Sequence, residues 1–252
     1  MRYDAVLAET VGIRGDGDDL VEAYAARPLA PGPRGGVLVI HHMPGYDREA
    51  KEIVRRFAEE GYDAICVNLH FRDAPGADPD DAAAASRANG GVPDDRFVGD
   101  AAGAVRWLRD RPTSNGRVAT IGFCSGGRQA VLSAIALDVQ AAIDCYGAFV
   151  TAEPPEGFPI RVQPIADRIG DIRAPLLGLF GNDDRNPSPE QVDELDKLLD
   201  GHGKAHEFHR YDGAGHAFFS VDRPAYRVAA ALDGWQRIRT FLATHLADEQ
   251  KG

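Results

Sequence analysis

The sequence predicts an α/β protein: a mostly parallel central sheet with helices on both faces. Three observations predict it. Short β-branched runs alternate with amphipathic stretches from residue 37 to residue 246. Glycine, proline and aspartate cluster at the joints between them. Alternation of strand and helix implies right-handed crossovers and therefore parallel pairing.

The elements follow in order. Val6–Val11 and Leu20–Ala25 read as an N-terminal β-hairpin over residues about 4–26, and Pro28 to Gly36 as a turn. Val37–Ile40 is a short apolar run bounded by glycines and by Pro44-Gly45, the pattern of a buried strand. Asp47 can cap a helix through Glu60, with Ile53, Val54 and Phe57 on one face and Gly61 at its end. Ala64–Asn68, Val118–Gly122, Ala141–Cys145, Leu176–Phe180 and Ala205–Tyr211 supply further strands. Helices fit at Phe97–Arg109, Ser125–Leu137, Ser188–Leu199 and Tyr226–Leu246. Residues 73–96 and 151–170 are Pro/Gly/Asp-rich and long for connectors, and stretches of that kind in an α/β domain serve as lids or substrate loops.

Composition bounds the function. The chain has 252 residues, with 28 Lys+Arg against 39 Asp+Glu for a formal charge of −11. Such acidity argues against a nucleic-acid partner. The length supports one large core without disulfides or metals, and no repeat or composition break divides it, so residues 1–252 are expected to form one domain. Acids from Asp4 onward and the lack of an apolar run near the N-terminus argue against a secretory signal. No stretch approaches the roughly 18 apolar residues of a membrane span. Cys66, Cys124 and Cys145 are odd in number and form no CxxC pair, so neither a disulfide framework nor a zinc ribbon is expected. The setting expected is cytoplasmic, with a monomer and a homodimer equally open.

The sharpest local feature is Ile121-Gly122-Phe123-Cys124-Ser125-Gly126-Gly127, where a strand hands over to a helix. A nucleophile in G-x-[S/C]-x-G sits on a strained turn that only small residues at −2 and +2 tolerate. Centring on Cys124 puts glycine at both positions; centring on Ser125 puts Phe123 at −2. Cys124 is therefore the candidate nucleophile. Gly181-Asn182-Asp183-Asp184 follows one later strand and Asp212-Gly213-Ala214-Gly215-His216 the next. Both turns fall at the carboxyl edge of the sheet, where open α/β sheets bind ligands. Nucleophile, acid and histidine come in the chain order of this arrangement. In that arrangement His216 takes the thiol proton and returns it to a leaving alcohol, while an aspartate orients the imidazole. Tyr146, just past strand Ala141–Cys145, is a further candidate for the site.

From about Val21 to Leu246 the chain resembles the dienelactone hydrolases (carboxymethylenebutenolidase-like) of the α/β-hydrolase superfamily. The resemblance rests on the Gly122–Gly127 elbow with cysteine as nucleophile, on Gly181 to Asp184, and on Gly213 to His216. It implies the α/β-hydrolase fold, Asp184 rather than Asp183 as the acid, and backbone N–H groups of Ser125 and Met43 as oxyanion donors. It also implies substrate-binding roles for His42 and Arg72, with Arg72 gripping a substrate carboxylate. Two positions depart from the family pattern. His42 stands where dienelactone-cleaving members carry a glutamate, and would tune the thiol. No arginine stands near Phe219-Ser220, where the second carboxylate anchor belongs. The hydrolase chemistry therefore carries over further than the dienelactone substrate does.

Rival readings are weaker. Gly122 and Gly127 have P-loop spacing, but Arg128 and Gln129 stand where a lysine and a hydroxyl are needed. A metal site at His202, His206 and His209 fails on spacing, and His41, His42 and His70 show no acid at ligand spacing in the sequence. The expectation is a hydrolase of a small ester or lactone acting through an acyl-cysteine, with no cofactor and no metal. The alternatives are acyl transfer or thioester cleavage on the same triad, or a non-catalytic protein of this fold that binds small molecules.

Overall fold

The computed structural model describes residues 5–247; the ends of the expected domain at 1 and 252, and the start of the hairpin at about residue 4, lie outside them. β1 (Val6–Arg14) and β2 (Leu20–Pro28) form the hairpin, with Thr10 opposite Tyr24. β3 (Arg34–Ile40) is followed by α1 (Arg48–Glu59), capped by Asp47, whose side chain accepts from the Ala50 N–H at 3.0 Å. Next come β4 (Asp63–Val67), α2 (Pro79–Ala88), α3 (Asp94–Arg109), β5 (Ser114–Phe123) and α4 (Ser125–Ala136). β6 (Ala141–Cys145), β7 (Leu176–Gly181), α5 (Pro189–Gly201), β8 (His206–Tyr211) and α6 (Val228–Leu246) complete the described chain.

The eight strands form one sheet in the order β1-β2-β4-β3-β5-β6-β7-β8. β3 to β8 are parallel, and the antiparallel hairpin joins through β2 on β4. Every residue of β3, β4, β6 and β7 is buried, which explains why these strands read as continuous apolar runs. Alternate side chains face opposite layers. Leu38 and Ile40 join Phe97, Leu108, Leu132 and Ile135 under α3 and α4. Val37 and Val39 join Val54, Phe57, Trp235 and Ile238 under α1 and α6.

Residues 73–96 hold more structure than their composition suggested. Pro79 opens α2 at a position where its missing N–H costs nothing, and a run of four alanines follows, with Ala82, Ala83 and Ser86 buried. Alanine favours helix without giving an amphipathic signal. Asp73 ties the preceding turn down through Arg96 at 3.1 Å and Asn89 at 3.1 Å. Residues 151–170 stay irregular apart from a short 3₁₀ turn at Ala166–Asp171. The two stretches meet: the Arg161 N–H donates to the Gly90 carbonyl at 2.7 Å, and Ile160 packs on Gly91. Among the described residues no helix is long and apolar enough to cross a membrane.

Candidate active site

Strand order reverses at β3, and the loops beyond the carboxyl ends of β3, β5, β6, β7 and β8 surround one cavity of about 570 Å³. Cys124 follows β5 directly, with φ 58° and ψ −120°. That strained conformation turns its side chain out above the sheet while its N–H donates to the Cys145 carbonyl at 3.0 Å. The flanking glycines are steric requirements. A Cβ on Gly122 would collide with the Gly126 carbonyl, and one on Gly126 with the Ile40 carbonyl. Ser125 is the first residue of α4, in regular helical geometry.

His216 lies in the turn after β8, where its imidazole acts on the Cys124 sulfur. Its Nδ1 stands 2.8 Å from Asp184 Oδ2. Asp184 is buried and takes the Asn186 N–H on Oδ1 at 2.9 Å, whereas neighbouring Asp183 is exposed. The loop bearing His216 is registered on this turn: the Asp183 N–H donates to the Ala214 carbonyl at 2.9 Å. Burial alone would raise the Cys124 thiol, but His216 and the N–H groups of Ser125 and Met43 outweigh it and hold the thiol below its ordinary range. The imidazole moves the opposite way. Burial opposes its protonation, yet Asp184 and Cys124 together raise it well above the usual histidine value. Both directions favour a thiolate–imidazolium pair.

Met43 sits on the loop after β3, and the His41 ring secures that loop. Its Nδ1 donates to the His42 carbonyl at 2.8 Å, and its Nε2 accepts the Leu69 N–H at 3.2 Å, which fixes the tautomer and ties the β3 loop to the β4 loop. Burial and neighbouring His70 push the His41 pKa down to about 3, so it stays neutral. Tyr146 is buried, lines the cavity and lays its ring against the His216 imidazole at 5.1 Å.

One sequence expectation needs correction. Arg72 does not line the cavity. Its guanidinium holds buried Asp100 with both Nη atoms, at 2.8 and 3.0 Å, and Asp19 through Nε at 2.9 Å, so it is spent on structure and presents no free face to a substrate. His42 lines the cavity, and its Nε2 meets Asp47 Oδ2 at 2.7 Å. Asp47 also supplies the acid that no sequence spacing revealed near His42. With Glu49 these residues offer three ligand atoms within 4.8 Å of one another. The α1 cap and the His42 contact already account for both Asp47 oxygens.

Several lining residues were not anticipated. Arg128, one turn into α4, is buried and forms a two-pronged pair with Asp94 at 2.7 and 2.8 Å, also reaching the Gln163 carbonyl. Arg87, Arg161, Arg185 and Arg223 ring the opening. Met43, Leu69, Val92, Phe149, Phe158 and Ile160 give the wall its apolar part. A regular sequence period could not reveal these, because they come from helices and loops that meet only in the fold.

A mostly parallel sheet with a strained Gly-Phe-Cys-Ser-Gly turn after β5 and a histidine after the last strand is the pattern of the α/β-hydrolase fold. The dienelactone hydrolase family model matches residues 21–246. Over 241 residues the chain is 35% identical to a protein of Escherichia coli (strain K12) named "Putative carboxymethylenebutenolidase", covering 93% of this chain and 86% of that one. It is 28% identical over 253 residues to a Bradyrhizobium protein named "Probable 2-oxo-3-(5-oxofuran-2-ylidene)propanoate lactonase", covering 99% of each. Among solved structures, a Klebsiella pneumoniae protein titled "Putative Dienelactone Hydrolase" superposes with a TM-score of 0.84 at 29% identity, over 95% of this chain and 99% of that one. The chain belongs to the dienelactone hydrolase family and is a hydrolase of that type.

Proposed function

We propose that this hydrolase cleaves a small carboxylic ester or lactone through an acyl-cysteine intermediate on Cys124, His216 and Asp184. One observation supports the reading: Cys124, His216 and Asp184 line one cavity, with the imidazole bonded to Asp184 on one side and acting on the sulfur on the other, and the N–H groups of Met43 and Ser125 acting on that sulfur too. The thiolate attacks the carbonyl carbon, and the resulting oxyanion is held by those two N–H groups. As the C–O bond breaks, the His216 imidazolium gives its proton to the departing alkoxide; in a lactone the alcohol stays joined to the acyl group. A water molecule then loses a proton to His216 and attacks the thioester. The C–S bond breaks, the acid leaves, and the thiolate–imidazolium pair is restored. Asp184 keeps Nδ1 protonated so that Nε2 serves the reacting atoms.

The test is hydrolysis of a small aryl ester and of a dienelactone by the wild type and by Cys124→Ala. Turnover by the wild type with loss of at least about a thousandfold in the variant supports the reading. Equal activity in the two proteins would overturn the nucleophile assignment, and an inert wild type would favour a binding role.

A further inference from the structure

The charge around the cavity mouth does not match the charge of the chain. The protein carries a formal −11, and arginines elsewhere, such as Arg34, Arg72, Arg96 and Arg239, sit on carboxylates. Arg87 on α2, Arg161 on the 151–165 segment, Arg185 after Asp184 and Arg223 beyond His216 all face the same opening. None of the four makes an ion pair or a side-chain hydrogen bond among the described residues. Arginines without a carboxylate partner occur elsewhere too, but here four of them line one cavity of an acidic chain.

The lining charges can be balanced. Arg128 is cancelled by Asp94. Cys124 and His216 cancel as an ion pair, leaving Asp184 with one negative charge. Exposed Asp183, which has no side-chain partner among the described residues, adds another. Against these stand the four unpaired arginines, an excess of two positive charges at the mouth. Their field is focused by a cavity whose wall is partly apolar.

We propose that this collar selects a substrate carrying two negative charges on an apolar body, either a dicarboxylate or a phosphomonoester. A single carboxylate would leave one positive charge unanswered, and a neutral ester would leave both. Phosphate and carboxylate both suit the guanidinium fork, so the shared chemistry is a double negative charge. The four arginines arrive from four separate segments, which lets two charges some distance apart be gripped at once. The inference rests on the hydrolase reading for its reaction, but its recognition step can be read without turnover.

The experiment measures protection of Cys124 from iodoacetamide, an uncharged reagent, at pH 8. Benzamide, benzoate, phthalate and phenyl phosphate are compared as neutral, monoanionic, dicarboxylate and phosphomonoester probes. The expected result is half-protection by phthalate, phenyl phosphate or both at concentrations at least about tenfold below that of benzoate, with benzamide weakest. Which dianion protects identifies the source of the charge. Raising NaCl from about 0.05 M to about 0.5 M should weaken the dianion and leave benzamide unchanged. In Arg161→Gln/Arg185→Gln, two exposed positions where folding is not at stake, the ratio of dianion to benzoate protection should fall at least about tenfold. Dianions no better than benzoate, or an unchanged ratio in the double variant, would overturn the proposal. A failed nucleophile assignment shows separately, as equal turnover by wild type and Cys124→Ala.

Discussion

Asp184 holds His216 from a fixed position: Oδ2 meets Nδ1 at 2.8 Å while Oδ1 is pinned by the Asn186 N–H at 2.9 Å. The carboxylate is buried and the imidazole is only partly so, so the charge that stabilises an imidazolium lies on the side away from solvent. The proton that leaves the Cys124 thiol therefore has a settled destination before any substrate arrives.

Replacing Asp184 by Asn keeps a similar shape and can keep the Asn186 contact, but removes the charge. The histidine then loses its preferred tautomer and the imidazolium its partner. We expect kcat/KM for an aryl ester to fall by about three to four orders of magnitude, with thermal stability within about 2 °C of wild type. A drop below tenfold would show that another group orients His216.

The pH behaviour of the thiol follows from the two opposed shifts. Cys124 is lowered, so its thiolate survives to lower pH than a free thiol; His216 is raised, so its imidazolium survives to higher pH than a free imidazole. The ion pair fills the window between. Alkylation of Cys124 by iodoacetamide should therefore fall less steeply between pH 8 and pH 6 than that of a free thiol. A thiol of pKa about 8.5 would slow by about a hundredfold over that range. Cys66 and Cys145, raised by burial, should not label in the folded protein.

His41 gives the stability profile a second, separate pH dependence. Its folded pKa is about 3 because it is buried beside His70, whereas unfolded it returns to about 6.5. Between those values the unfolded chain binds a proton that the folded chain refuses, so stability is lost as pH falls through 6.5. At pH 5 this amounts to about 2 kcal/mol for His41 alone. In urea titrations His41→Gln, which can donate to one carbonyl and accept from one N–H, should lose about 2 kcal/mol less than wild type on going from pH 7 to pH 5. Equal losses would assign the acid sensitivity elsewhere.

Arg72 shows where sequence reading reached its limit. The resemblance placed it at the substrate; the fold spends it on Asp100, whose carboxylate is fully buried and also takes the Asp16 N–H at 2.9 Å. We expect Arg72→Ala to destabilise by about 3–5 kcal/mol, the cost of a buried charge left without its partner. Its effect on KM should not depend on substrate charge. Pairing it with Asp100→Asn should recover more than half of the loss. A KM rise confined to anionic substrates would restore the anchor role.

The elements most legible in the sequence were those set by local rules. The Gly122 and Gly126 pattern forces the elbow because neither position has room for a Cβ, and the buried strands declare themselves as short apolar runs. Asp184 and His216 were legible because each follows a strand directly, so topology alone carries them to one edge. The Arg128–Asp94 pair and the four arginines at the mouth were not, because they belong to segments whose meeting depends on loop paths. Helix α2 was hidden for another reason: alanines make a helix without marking its inner face.

The Arg128–Asp94 pair leads to a last expectation. Arg128 is a buried part of the cavity wall, with its side chain 4% exposed, and it joins the first residue of α3 to the Gln163 carbonyl of the 151–165 segment. That segment also carries Phe158, Ile160 and Arg161 to the mouth. Arg128→Ala removes the tie while leaving Asp94, which is partly exposed, able to find water, so the stability loss should stay near 1–3 kcal/mol rather than the larger figure for a stranded buried charge. The 151–165 segment would then be held chiefly by its contacts with Gly90, Gly91 and Val150. We expect limited proteolysis to cut within 151–165 at least about tenfold faster than in wild type, and KM to rise for neutral and anionic esters alike while kcat changes little, since Cys124, His216 and Asp184 are held by other elements. A kcat loss at unchanged KM would instead mean that Arg128 acts through α4 on the nucleophile itself.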